Sequence, residues 1–139
     1  METLPLGKVA ASAAVIRRNK ILLLQRSEKS KLFPGYWTFP SGGIEEFDPN
    51  AESAVSREVK EETGLDFVPK KKFGFYESHA GGKRHFALVH LGVSKGKLRL
   101  QESEVITANW FTYKEAKKLN LAFAYPNVIK DLYKSKLIQ

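Results

Sequence analysis

The stretch from Asn50 to Thr63 constrains the chain more than any other. It reads as a helix stopped by Gly64, the residue type expected just past a helix end. Its N-cap is either Asp48, with Pro49 at the first helical position, or Asn50. At about 100° per residue, with Ala51 as origin, Ala54, Val55, Val59 and Leu65 lie within roughly 80° of one direction. Glu52, Ser53, Ser56, Lys60 and Thr63 fall on the far side. Glu58, Glu61 and Glu62 project into the apolar arc, so three carboxylates are expected to face the protein. Like charges spaced i, i+3 and i+4 repel by a few tenths of a kcal/mol on an exposed helix and by more when desolvated. A divalent cation offsets that repulsion directly: Mg²⁺ takes carboxylate oxygens, keeps several waters and bridges to substrate phosphates. Arg57, at the edge of the arc, is placed to hold a carboxylate through bidentate hydrogen bonds. The alternative is a solvated charged helix with local salt bridges among Arg57-Glu58 and Lys60-Glu61-Glu62. The glycine pair and aromatic residues upstream favour the metal-binding reading.

Composition narrows the chemistry. With 139 residues, 42% apolar and 27% charged, the chain is expected to form one soluble domain spanning 1–139. No apolar run approaches the roughly 20 residues that span a bilayer. Met1-Glu2-Thr3-Leu4-Pro5-Leu6-Gly7 lacks the pattern of a secretory leader, so the expected location is cytoplasmic. The absence of cysteine excludes disulfides, thiolate metal sites and cysteine nucleophiles, and three histidines make a histidine-built zinc site a weak candidate. Any metal should be hard and oxygen-liganded. The formal charge of +8 favours anionic partners such as nucleotides, phosphorylated metabolites or RNA. The runs Lys70-Lys71-Lys72 and Lys117-Lys118 also read as solvated faces that serve solubility.

Along the chain, Lys8 to Arg17 and Ile21 to Arg26 read as a hairpin around the polar turn Arg18-Asn19-Lys20. A loop from Ser27 to Pro34 leads to a short strand, Trp37-Thr38-Phe39, and Ser41-Gly42-Gly43 reads as a loop that lets a ligand approach the main chain. Phe67 to His79 and Arg84 to Val93 form a second predicted hairpin through Gly81-Gly82. Shorter strands are expected at Lys97 to Leu100 and Ala108 to Tyr113, flanking an acidic loop from Gln101 to Ile106. Helices are expected at Tyr113 to Leu119 and Pro126 to Lys136. The order predicts an α+β fold with helices against a mostly antiparallel or mixed sheet.

The segment Gly43-Ile44-Glu45-Glu46-Phe47-Asp48-Pro49-Asn50-Ala51-Glu52-Ser53-Ala54-Val55-Ser56-Arg57-Glu58-Val59-Lys60-Glu61-Glu62-Thr63-Gly64-Leu65 resembles the box of the Nudix hydrolase (MutT-like) family. That box reads G-x5-E-x7-R-E-U-x-E-E-x-G-U, with U a bulky aliphatic residue. Gly43, Arg57, Glu58, Val59, Glu61, Glu62, Gly64 and Leu65 fall at the required spacing. Trp37-Thr38-Phe39-Pro40 before Gly42-Gly43 is also similar to the family's approach to the box. One position departs: the pattern has glutamate where this chain has Pro49, with Asp48, Glu46 and Glu52 as candidate compensators.

The resemblance implies an α/β fold, the Nudix α/β/α sandwich with a mixed sheet between helices, and Mg²⁺-dependent hydrolysis of a diphosphate linkage, with Mn²⁺ able to substitute. It assigns Glu58, Glu61, Glu62 and the Gly42 carbonyl to the metal, and Arg57 to the catalytic group. The general base is expected to be Glu61 in the box, or Glu102 or Glu104 in the acidic loop, with Glu104 the preferred outside candidate; Glu104 equally reads as a loop brace. Arg26 and either Lys83 or Arg84 are candidate phosphate contacts or else exposed hairpin cations. Phe33, Trp37, Phe39, Tyr76 and Tyr125 are candidate base contacts or else core, and His79 and His85 read as surface residues. The implied substrate is ADP-ribose or a nucleoside triphosphate, with dinucleoside polyphosphates and an RNA 5′ end as alternatives. The chain ending from Leu121 to Ile129 is weakly similar to enzymes of the first kind. A non-catalytic nucleotide- or RNA-binding module is the competing class, and a homodimer is a further candidate.

Overall fold

The computed structural model describes residues 6–100 and 105–139. In chain order the elements are β1 (Leu6–Ala14), β2 (Ile16–Arg17), β3 (Lys20–Arg26), β4 (Trp37–Thr38), β5 (Ser41–Gly43), α1 (Ala51–Thr63), β6 (Asp66–Ala80), β7 (Lys83–Lys95), β8 (Val105–Phe111), α2 (Tyr113–Ala116) and α3 (Tyr125–Lys134). One sheet has the order β5-β1-β7-β6, with β1 parallel to β7 and antiparallel to β5. In the other, β3 pairs along its length with β8, with β2 near its start and with β4 near its end. Backbone hydrogen bonds from Ala13 N to Pro40 O and from Leu22 N to Val15 O, both 2.9 Å, tie the sheets together where the chain crosses between them.

Helices cover both sides of this layer, as the α/β/α expectation requires. Ile21-Leu22-Leu23-Leu24 is wholly buried because alternate side chains enter different cores. Leu22 and Leu24 pack with Ala54, Val55 and Val59 of α1, whereas Ile21 and Leu23 pack with Val128, Ile129 and Leu132 of α3. Ala11 and Ala13 are fully buried under α1, their small side chains leaving the helix room to lie close to β1. Among the described residues no helix is long and apolar enough to cross a membrane.

Several boundaries differ from the sequence expectation. Only Ile16–Arg17 pairs with β3; the longer first strand instead joins β7, because alternation marks a strand without naming its neighbour. Ser41–Gly43, expected as loop, is a strand in register with Ala10, Ala11 and Ser12. Residues 97–100 form no strand, and Arg99 N instead donates to the carbonyl of Thr63, the last residue of α1, at 2.6 Å. The strand expected from Ala108 begins at Val105 and stops at Phe111, since Thr112 and Glu115 build a capping box that starts α2. Helix α2 ends at Ala116 instead of Leu119, and α3 runs over Tyr125–Lys134 instead of Pro126 to Lys136. The β6–β7 hairpin holds, turning through Gly81 and Gly82 at φ of 59° and 73°. Thr63 is buried instead of facing out: its hydroxyl donates to Val59 O at 2.6 Å and accepts from Leu65 N at 3.1 Å.

Two of the aromatic residues that read as base contacts or else core pack against other rings. Phe39 is completely buried and stacks on Tyr125, with centroids 4.5 Å apart and planes 9° from parallel. Trp37 meets Phe111 edge to face at 5.1 Å. Phe39→Ala is expected to cost about 3–5 kcal/mol, measured as a lower urea midpoint at unchanged slope. A cost under about 1 kcal/mol would remove Phe39 from the core and return it to the list of base contacts.

Candidate active site

Asn50 caps α1: its Oδ1 accepts from Ser53 N at 2.8 Å, and the chain enters extended. Pro49 therefore precedes the cap instead of filling the first helical position, and Asp48 turns elsewhere. Its carboxylate accepts from Arg57 Nε at 3.0 Å and Arg57 Nη2 at 2.8 Å, and its Oδ2 also accepts from Glu45 N at 2.8 Å. The remaining Arg57 donors reach Gly43 O at 3.3 Å, Glu58 Oε1 at 2.9 Å and the Glu61 carboxylate at 3.3–3.4 Å. The Arg57 hydrogen bond holds the Asp48 carboxyl below the usual carboxylate range, and Asp48 in turn strengthens the proton hold of the guanidinium. Of the other compensators considered for Pro49, Glu46 is exposed and Glu52 lies 4.0 Å from Lys72 Nζ.

The three box glutamates are presented differently. The Glu58 side chain is only 15% exposed and lies against Gly42, where an added Cβ would overlap its carboxylate. Glu62 Oε1 accepts from Ser41 N at 2.8 Å. Glu61, expected in the apolar arc, is 52% exposed and leans toward Arg57. Thus α1 and β5 bring Glu58, Glu62 and the Gly42 main chain together. Among the described residues these carboxylates are not drawn into a ready three-ligand cluster, since Arg57 engages Glu58 and Glu61 while β5 engages Glu62. The donors are nonetheless all hard oxygens, and the glycine cradle beside Glu58 leaves no side chain in the way, so the set fits Mg²⁺ or Mn²⁺.

Beside this edge lies a cavity of about 670 Å³, lined in part by Gly42, Arg26, Lys31, Lys83, Tyr76 and Phe123. A second hollow of about 400 Å³ shares Arg26 and Ser41 with it and reaches Glu62. Arg26 is half-buried, donates from Nε to Leu32 O at 3.1 Å and sits 5.4 Å from the Phe123 ring centroid. Burial weakens its hold on the proton, and the negative field of Glu62 opposes that. Tyr76 donates to Asp131 Oδ2 at 2.8 Å, and burial together with that bond pushes its phenol well above the ordinary range. Tyr125 lies beneath the cavity wall, its hydroxyl 2.6 Å from Ser12 Oγ, with burial raising its pKa.

Of the sequence candidates, Gly42, Arg26, Tyr76 and Tyr125 line the cavity, as do Lys83 and His85. Arg84 alternates with these last two along β7 and lies over the Phe86 ring at 5.8 Å. Phe33 packs on Phe123 at 4.8 Å, and His79 is exposed beside Glu77. Glu102 and Glu104 lie outside the described residues. Sequence reasoning missed Lys31, inside a polar loop, and Phe123, whose φ of 51° no residue pattern announces.

A family model for the NUDIX domain matches residues 7–132. The chain is 35% identical over 133 residues to an ADP-ribose pyrophosphatase of Methanocaldococcus jannaschii, covering 92% of this chain and 74% of that protein. It is 34% identical over 122 residues to Nudix hydrolase 2 of Arabidopsis thaliana, covering 82% of this chain but 43% of that protein, so it spans less than half of the plant relative. In three dimensions it matches a MutT protein from Methanosarcina mazei Go1 with a TM-score of 0.85 at 24% identity, over 97% of this chain and 99% of that one. With the box spacing, the α/β/α layering and the family match across 7–132 in agreement, the chain belongs to the Nudix hydrolase family.

Proposed function

We propose that this chain hydrolyses a phosphoanhydride bond in a nucleoside diphosphate linked to another moiety, with ADP-ribose and nucleoside triphosphates as leading substrates. One observation carries the reading. The Gly42-Gly43 main chain, against which Glu58 lies, lines a cavity whose charged residues among those described are Arg26, Lys31 and Lys83, and Glu62 lines the adjoining hollow that shares Arg26 and Ser41 with it. A pocket of a few hundred Å³ with convergent cations suits a nucleotide-sized anion. The likeness to the archaeal ADP-ribose pyrophosphatase supports the same class.

Glu58, Glu62, Glu61 and the Gly42 carbonyl would hold the divalent cation, Mg²⁺ or Mn²⁺. When bound, such an ion neutralises phosphate oxygens and lowers the pKa of a coordinated water. The side chains do the rest. Arg57 orients Glu58 through the 2.9 Å hydrogen bond. Arg26, Lys31 and Lys83 attract and orient the phosphates, while Phe123 and Tyr76 offer ring surface to the organic part. In the reaction, water oxygen bonds to phosphorus as the bond from that phosphorus to the bridging oxygen breaks. The water proton passes to a carboxylate, for which the half-exposed Glu61 is one candidate and Glu104 the other. The products are a nucleoside monophosphate and a phosphorylated remainder, or pyrophosphate from a triphosphate.

Glu58→Gln and Glu62→Gln are each expected to lower kcat by at least about 100-fold with little change in melting temperature; full turnover in either variant contradicts the assigned roles. A panel of ADP-ribose, standard and oxidised nucleoside triphosphates, dinucleoside polyphosphates and 5′-triphosphorylated RNA, with products identified by mass, fixes the substrate. Nucleotide binding by calorimetry without turnover on any of them would make the chain a binding module. Gly42→Ala is expected to weaken Mn²⁺ binding by about tenfold or more because its methyl displaces the Glu58 carboxylate. Unchanged Mn²⁺ affinity in that variant would take Gly42 and Glu58 out of the metal site.

A further inference from the structure

We infer that Asp48 is the positioning residue that keeps Arg57 from competing with the metal for Glu58 and Glu61, standing one place earlier than the box glutamate that Pro49 replaces. The inference rests on the metal-dependent reading above. Asp48 sits in a loop whose other residues, Ile44 to Phe47 and Pro49 to Asn50, are exposed, yet its own side chain is 4% exposed. A loop that buries one carboxylate among so many exposed neighbours has folded around that group. The reason lies in the guanidinium. Arg57 has five N–H donors in a fixed fork, and Asp48 takes the Nε side bidentately. Phe47 lies over the guanidinium, with its ring centroid 5.0 Å from Cζ. The loop therefore clamps Arg57 in its plane and over one face.

This clamp decides where the positive charge sits. Balanced by Asp48, Arg57 reaches Glu58 and Glu61 through Nη1 alone, at 2.9 Å and 3.3–3.4 Å. Without Asp48, the same cation would turn its bidentate side to the box carboxylates and oppose a divalent ion for their oxygens. Pro49 cannot supply the missing charge. Because Asn50 caps the helix, Asp48 is released from the role that the alternative cap assignment would have given it. A glutamate at 49 is one residue further along and one methylene longer, so it can approach the same guanidinium once Asp48 is removed.

The test compares wild-type protein with Asp48→Ala, Asp48→Asn, Pro49→Glu and the double variant Asp48→Ala/Pro49→Glu. Three quantities are read: Mn²⁺ affinity of the metal-free protein by calorimetry, kcat and KM for ADP-ribose with Mg²⁺, and melting temperature. Asp48→Ala is expected to lose about tenfold or more in Mn²⁺ affinity and about 100-fold in kcat, with KM within about threefold. Asp48→Asn, which keeps the shape without the charge, follows it in direction and serves if the alanine variant unfolds. Pro49→Glu alone stays within about twofold of wild type, and the double variant recovers most of both losses. Wild-type Mn²⁺ affinity in a folded Asp48→Ala or Asp48→Asn protein overturns the inference. So does a double variant that regains melting temperature without regaining Mn²⁺ affinity, which would make Asp48 only a structural brace. If wild-type protein hydrolyses nothing but the Mn²⁺ losses and rescue occur as stated, the proposed function falls and the role of Asp48 stands.

Discussion

The site depends on one helix lying close enough to one strand for carboxylates to reach its main chain. Ala11 and Ala13 make that approach possible: larger side chains on β1 would lift α1 away from β5. At this distance Glu58 lies on Gly42 and Glu62 accepts from Ser41 N, so the apolar seat of the helix and the polar edge of the site are set by the same contact. Val55 and Val59 supply hydrophobic stabilisation that offsets the repulsion among the acids one turn away. The geometry of the carboxylates is therefore a consequence of core packing, and the chemistry is borrowed from it.

Charge is sorted across that contact. Glu62 of α1 lines the hollow beside Ser41, while Arg26, Lys31 and Lys83 line the cavity that β5 borders. Arg26 lines both the cavity and the hollow, in the field of Glu62, and its half-burial makes that field count. A phosphate chain entering the cavity would meet these cations, with Glu62 in the adjoining hollow. That asymmetry suits a reaction in which negative charge must be held while one bridging bond is broken.

The box itself was legible in the sequence because it combines a helix period, a terminal glycine and fixed spacing, each with a local cause. Strand partners were less so. Ser41-Gly42-Gly43 has no β-branched residue, yet it pairs with β1 because the helix behind it and the chain crossing at Pro40 hold it there. Long-range pairing of β1 with β7 leaves no mark in either segment. Helical projection placed Glu58 and Glu62 correctly but put Glu61 too far inward and Thr63 too far outward. Projection gives the direction of Cβ, whereas Glu61 leans along the surface to Arg57 and Thr63 folds back onto its own helix end. Phe39 read as a base contact or else core, and Tyr125, far away in sequence, claims it for the core.

The aromatic roof of the cavity shows how distant parts of the chain are made to agree. Phe33 and Phe123 both have left-handed backbones, with φ of 50° and 51°, a conformation that costs a bulky L-residue on the order of 1–3 kcal/mol and persists only where surrounding contacts over-determine it. Here the contacts are mutual. The two rings meet edge to face at 4.8 Å, His85 lies 5.3 Å from Phe123, and the Arg26 guanidinium stands 5.4 Å from the same ring. Each strained turn thus supplies the partner that holds the other. Phe123 is fixed against the Arg26 guanidinium and a histidine of the β6–β7 hairpin. A ring held from three directions has little freedom left to lose, so the strain taken up at these turns fixes the shape of the cavity that Phe123 lines.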